Sequence, residues 1–178
     1  GKSPAVVAPG YPIEHAVQRV LAGKLLNAGQ TCIAPDYALV PRAQVPAFVE
    51  SAKRQAQDMH PAGLDDADYC SIVDARQYQR LTGYIEQARN ADTAIVPLFN
   101  GAGHNDSKRR LAPAIAINPS PDLDLMREEI FGPLLPVIPY DEVKDAMAFI
   151  NAKPRPLAMY WFDNDGKRAE LALKNTHT

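Results

Sequence analysis

The chain has 178 residues, enough for one domain with a substantial core. Hydrophobic residues make up 46% and charged residues 22%, and the net charge is −2, which excludes a broad basic field for nucleic acid or an anionic membrane. No run approaches the roughly 20 apolar residues that span a bilayer, and two cysteines do not make a disulfide framework, so both thiols are expected to be reduced in a cytoplasmic setting.

In chain order, Ala5-Val6-Val7-Ala8 is a short apolar run between prolines and is expected to be a buried strand. Over residues 14–28, apolar side chains recur at Val17, Val20, Leu21 and Leu25 with helical period, and Asn27 and Gly29 can end that helix. Tyr37–Pro41 reads as a strand, and Val45–Met59 as an amphipathic helix with Phe48, Val49 and Ala52 inward. A loop over residues 61–68 precedes a helix over 74–90, whose apolar side carries Tyr78, Leu81, Tyr84 and Ile85. Strands are expected over 93–97 and 111–117, with a glycine-containing loop between them and a short turn or helix at 123–128 after them. Leu134–Tyr140 is a further strand, and Asp141 a good N-cap for a helix to Asn151. A strand over 157–161 and a helix over 165–174 complete the chain. Strands separated by helices of ten or more residues predict an α/β fold of three layers, a largely parallel sheet with helices on both faces.

Two segments carry chemistry. Cys32 sits in Asn27-Ala-Gly-Gln-Thr-Cys-Ile-Ala-Pro-Asp-Tyr37, a polar turn where a helix gives way to a strand. Buried structural cysteines usually occupy apolar runs, whereas a thiol at such a junction, beside backbone amides free to donate, suits nucleophilic work. Spacing alone leaves both readings open. Cys70, within Tyr69-Cys-Ser-Ile-Val73, is expected to be a partly buried structural residue.

The second segment is Glu128-Glu-Ile-Phe-Gly-Pro133. A carboxylate can accept hydrogen bonds from both hydroxyls of a ribose, an aromatic ring can pack beside a nicotinamide, and Gly-Pro fixes the turn. By itself the string is a weak signal, since acidic residues before a Phe-Gly-Pro turn usually just end an element. The four histidines show no metal-ligand spacing, so no metal site is expected. Asp163-Asn-Asp-Gly166 lacks the closing Glu of a calcium loop and reads as a turn and helix cap.

Together these strings resemble the aldehyde dehydrogenase superfamily, and Gln30–Tyr37 resembles its class 3 branch, which includes coniferyl aldehyde dehydrogenases. The resemblance runs through the whole chain and implies that residues 1–178 are the thiol-bearing catalytic domain. It implies Cys32 as the nucleophile, Glu129 on the nicotinamide ribose and Phe131 against the nicotinamide end of NAD or NADP. It also implies an N-terminal cofactor-binding domain and a C-terminal oligomerisation segment outside these residues, and assembly of the longer protein into a dimer or tetramer. Gly1-Lys-Ser-Pro4 resembles the tail of the family's Glu-Leu-Gly-Gly-Lys motif, whose Glu is the general base and would lie just before Gly1. Lys2 itself reads as either a motif marker or a solvated lysine.

The implied activity is oxidation of an aldehyde, aromatic or medium-chain, to a carboxylic acid, with residues 1–178 inactive when isolated. An acylating or acyl-phosphate reductase of the same superfamily, or a non-catalytic α/β module, would share much of the pattern. A Glu before Gly1 would separate the first alternative, and unremarkable reactivity of Cys32 would mark the second.

Overall fold

The computed structural model describes residues 1–177. In chain order the elements are β1 (Pro4–Val7), α1 (Ile13–Leu25), β2 (Tyr37–Pro41), α2 (Val45–Met59), α3 (Ala75–Asn90), β3 (Ala94–Pro97), β4 (His104–Asn105), β5 (Arg110–Leu111), β6 (Ala114–Ile117), α4 (Asp124–Arg127), β7 (Leu134–Tyr140), α5 (Val143–Asn151), β8 (Tyr160–Phe162) and α6 (Gly166–Asn175). One six-stranded sheet has the order β3-β6-β7-β2-β1-β8, and β4 pairs with β5 in a separate small hairpin. Every neighbouring pair in the large sheet is parallel except β3 against β6. Helices lie on both sides of the sheet, as the alternation of strands and helices predicts.

The central strands β1, β2 and β7 are buried almost throughout, which is why they read as continuous apolar runs rather than alternating ones. α1 inserts Val17, Val20, Leu21 and Leu25 beneath them, and α2 adds Phe48, Val49 and Ala52. No helix among the described residues is long and apolar enough to cross a membrane.

Four local expectations are corrected. The strand expected over 111–117 is two: Ala112 donates to Gly103 O in line with the β4–β5 hairpin, then Pro113, which has no N–H, separates it from β6 in the main sheet. The last strand begins at Tyr160 rather than 157, because its neighbour β1 is already near its own start where Ala5 meets Tyr160. Glu142, not Asp141, caps α5, in a reciprocal capping box with Asp145, while Asp141 turns outward to pair with Arg42. α1 stops at Leu25, and a short 3-10 segment (Leu26–Gly29) carries the chain into the cysteine turn.

Strand direction decides where the chemistry gathers. β1, β2 and β7 are adjacent and parallel, with Pro4 beside Tyr37 and Val137 beside Ala38. The Lys2 segment, the Cys32 turn and the Glu128–Pro133 turn immediately precede these three strands. Topology therefore brings all three to the same, amino-terminal rim of the sheet.

Candidate active site

The Cys32 turn is built from unusual backbone. Asn27, Ala28 and Gly29 have φ of 51°, 52° and 76°, three consecutive left-handed residues that reverse the chain at the foot of α1. For Asn and Ala this conformation is costly and persists only when the surroundings impose it. Gln30 imposes much of it. Its side chain donates to Asn27 O at 3.0 Å and to Ser71 O at 3.1 Å, and accepts from Val73 N at 2.9 Å. From the other side, the Tyr160 hydroxyl donates to Ile33 O. The turn is thus tied to residues 71–73 and to β8.

Cys32 and Ile33 are both exposed. The Cys32 amide has no hydrogen-bond partner among the described residues, so an N–H donor lies next to the thiol. Cys70 is exposed as well, which corrects the expectation of a structural thiol. Its segment alternates, with Tyr69 and Ile72 inward and Cys70 and Val73 outward.

The Glu128–Pro133 turn packs directly on the cysteine turn. A Cβ on Gly29 would lie 2.3 Å from Gly132 O, so only glycine permits this approach. A Cβ on Gly132 would in turn meet the Leu81 side chain at 2.5 Å. Asp36, four residues after the thiol, accepts from Ile130 N at 2.9 Å. Phe131 stands at φ 48° and is 38% exposed, and the Glu129 carboxylate is 36% exposed, with its Oε1 2.7 Å from the Gly1 nitrogen. The structure therefore brings Cys32, Glu129 and Phe131 to one rim, on two turns in contact.

Beneath them lies a charged cluster that sequence reading missed. Lys2 is not a solvated terminal lysine: its ammonium is nearly buried, pairs with Asp36, and donates to Leu125 O at 2.8 Å and Glu128 O at 2.7 Å. Lys24 is fully buried, and burial lowers its ammonium to about 8, with Asp36 pulling it upward and Lys2 pushing it down. One carboxylate thus faces two buried cations while holding the Ile130 amide. The signal for Lys24 was available, since it falls on the same helical stripe as Val17, Val20 and Leu21.

Exposed apolar side chains border the thiol. Ile33 (55%), Val73 (70%) and Phe131 belong to the two turns or to the segment they bind, and the backbone of Leu157 (65%) runs near Gly1. Such residues at a strand rim mark a surface that holds an apolar ligand or is covered by further chain. Glu129, part-exposed with one carboxylate oxygen at the Gly1 nitrogen, and the exposed Phe131 ring could hold the nicotinamide end of a dinucleotide, because a carboxylate suits ribose hydroxyls and a ring suits a planar heterocycle.

Fold and rim together define an α/β domain that presents an exposed thiol beside a carboxylate-bearing turn. The Aldehyde dehydrogenase family model matches residues 1–178, and the chain belongs to that family of oxidoreductases. It is 46% identical over 178 residues to "Probable coniferyl aldehyde dehydrogenase" of Pseudomonas aeruginosa, covering 100% of this chain and 37% of that protein. It is 39% identical to the coniferyl aldehyde dehydrogenase of a Pseudomonas species, covering 99% of this chain and 37% of that protein. Among solved structures, the substrate-bound state of AldH from Staphylococcus aureus superposes with a TM-score of 0.90 at 32% identity, covering 99% of this chain and 37% of that one. The chain thus spans little more than a third of the length of these relatives.

Proposed function

We propose that the protein containing this chain oxidises an aldehyde to a carboxylic acid, with residues 1–178 as its thiol-bearing catalytic domain. The observation that carries the proposal is the seating of the Glu128–Pro133 turn on the Cys32 turn, through the Gly29–Gly132 contact and the Asp36–Ile130 hydrogen bond. An aldehyde releases no hydride readily until its carbon is tetrahedral and bears an alkoxide. The Cys32 thiolate makes that carbon by adding to the carbonyl, and the Cys32 N–H, unpartnered beside the thiol, would stabilise the oxyanion. Loss of hydride leaves an acyl group on sulfur as a thioester, and water releases it as the acid. NAD or NADP, when bound, supplies the hydride acceptor.

Glu129 would hold the ribose and Phe131 would pack against the nicotinamide end. The family's general base would enter beside Gly1, whose nitrogen already lies at Glu129. A second oxyanion donor, most of the dinucleotide site and the oligomer contacts fall to other parts of the longer protein, so the isolated 178 residues would not turn over. The apolar border of Ile33, Val73, Phe131 and Leu157 favours an aromatic or medium-chain aldehyde, and the Pseudomonas relatives point to coniferaldehyde.

The test is reduced-cofactor formation by the full-length protein offered coniferaldehyde or a medium-chain alkanal, with Cys32→Ser alongside. Activity abolished in the variant supports the thiol mechanism and ranks the two substrates. No activity with either aldehyde and either cofactor would overturn the reading, and a thioester that passes to coenzyme A or phosphate instead of water would mark an acylating enzyme.

A further inference from the structure

We propose that Arg80 is a positioning residue that fixes where Glu129 and Phe131 stand relative to the Cys32 thiol; this rests on the reading above. Glu129 and Phe131 are each more than a third exposed, and apart from the contact of Glu129 Oε1 with the Gly1 nitrogen, the backbone of the turn decides where they stand. That backbone includes Phe131 at φ 48°, a conformation an aromatic residue does not keep unaided. Something must hold the peptides before it.

The Arg80 guanidinium does so from α3. Its Nη2 donates to Ile130 O at 2.7 Å and its Nη1 to Glu129 O at 3.3 Å. The guanidinium is itself fixed. Nε donates to Gln77 Oε1 at 2.7 Å, Nη1 reaches the Tyr84 hydroxyl at 2.8 Å, and the Arg80 carbon sits 5.0 Å from the centre of the Tyr84 ring. Tyr84 passes the connection on by donating to Glu128 Oε2. Burial, and then that carboxylate, push the Tyr84 phenol up to about 12, so it stays a donor. Three successive residues of the turn, Glu128 to Ile130, are thereby tied to two turns of one helix.

The opposite side of the turn is held by the other half of the site. Asp36 accepts from Ile130 N, and Lys2 donates to Glu128 O at 2.7 Å. The Ile130 residue is thus held at its N–H by the thiol-bearing segment and at its C=O by α3. Asp36 is a poor place to test this, because its loss strands Lys2 and Lys24 in the interior. Arg80 is half-buried, and its removal strands no charge, leaving the Glu129 and Ile130 carbonyls, Gln77 Oε1 and the Tyr84 hydroxyl each without one donor. A planar fork that satisfies two carbonyls at once is something lysine reproduces only in part.

The experiment uses the full-length protein with Arg80→Met, Arg80→Lys and Tyr84→Phe. Four quantities are read: the Kd for the oxidised cofactor by fluorescence quenching, kcat and KM for aldehyde oxidation, and the rate of cofactor-free acylation of Cys32 by p-nitrophenyl acetate. Arg80→Met is expected to weaken cofactor binding, or raise its KM, by about tenfold or more, as small misplacements do. Acylation should stay within about twofold, since the ester needs only the thiol and its N–H. Arg80→Lys should recover part of the loss and Tyr84→Phe should show a smaller one. Unchanged cofactor Kd and KM in Arg80→Met would overturn the proposal. So would a parallel fall in acylation with no recovery by lysine, which would make Arg80 merely structural. A wild-type protein that acylates but neither binds cofactor nor oxidises aldehyde would instead reject the dehydrogenase reading, and this inference with it.

Discussion

Lys24 is the residue where stability and site are most tightly joined. Its ammonium is held near 8 by burial, below its ordinary 10.5, so between those values the unfolded chain binds more protons than the folded one. Stability therefore rises with pH across that window, and below about 8 the folded protein carries a buried charge at a cost on the order of 3 kcal/mol. Lys24→Met removes this dependence. The difference in melting temperature, variant minus parent, is expected to favour the variant most below pH 8 and to shift against it toward pH 10.5; a pH-independent difference would refute the assignment. Gly29 tests the contact between the two turns. Gly10 also has a positive φ, 82°, but faces open space, so Gly10→Ala should cost about 1 kcal/mol of backbone strain. Gly29→Ala adds overlap with Gly132 O, and should cost about 3 kcal/mol or more, as thermal unfolding of the two variants side by side will show. At this scale the sequence revealed the thiol and the Glu-x-Phe-Gly-Pro string, yet not what holds them. Asp36 and Arg80 act on backbone amides and carbonyls far away in the chain, Asp36 on Ile130 and Arg80 on Glu129 and Ile130, and no periodicity encodes such partners.

At the scale of elements, α3 illustrates how local chemistry serves a distant site. Asp74 caps it by accepting from Gln77 N at 2.7 Å, and Gln77 is the residue that steadies Arg80. Asp74→Ala is expected to lower stability by about 1 kcal/mol in denaturant unfolding, with a smaller effect on cofactor Kd than Arg80→Met. An equal or larger effect on Kd would mean that the helix start, rather than the guanidinium, sets the turn. Strands and helices with clear periods, Tyr37–Pro41, Val45–Met59 and Leu134–Tyr140, have the boundaries their residues suggest. The departures all depend on a neighbour. Residues 157–159 fall outside β8 because only Pro4, which has no N–H, precedes Ala5 in β1, and Arg110–Leu111 leaves the main sheet to pair with His104–Asn105. Asp141 yields its capping place to Glu142 because Asp145 reciprocates three residues on.

For the whole molecule, the telling fact is the rim the site occupies. Ligands of open parallel sheets ordinarily lie beyond the carboxyl ends of the strands, near a switch in strand order. Here Lys2, Cys32 and Glu129 all precede their strands, so that rule applied to the sequence would select the opposite edge. The order β7-β2-β1 explains the gathering: α1 returns the chain from β1 to the start of β2, and the longer path through α2, α3, β3, β6 and α4 returns it to the same edge at β7. The far rim is closed by exposed pairs such as Arg42–Asp141, at 2.9 Å with both side chains more than half exposed. Arg42→Ala is expected to leave melting temperature and aldehyde oxidation unchanged within error, since such pairs contribute little; a clear loss of activity would show that the two rims communicate.

That separation makes the molecule easy to handle. From Tyr37 to Pro41 the five residues of β2 put about 16 Å between the Cys32 turn and the Arg42 corner. A fluorophore, an affinity handle or a tether to a solid support attached at Arg42 or Asp141 would ride on the back of the sheet, leaving the thiol facing outward and a labelled enzyme free to report on its own chemistry.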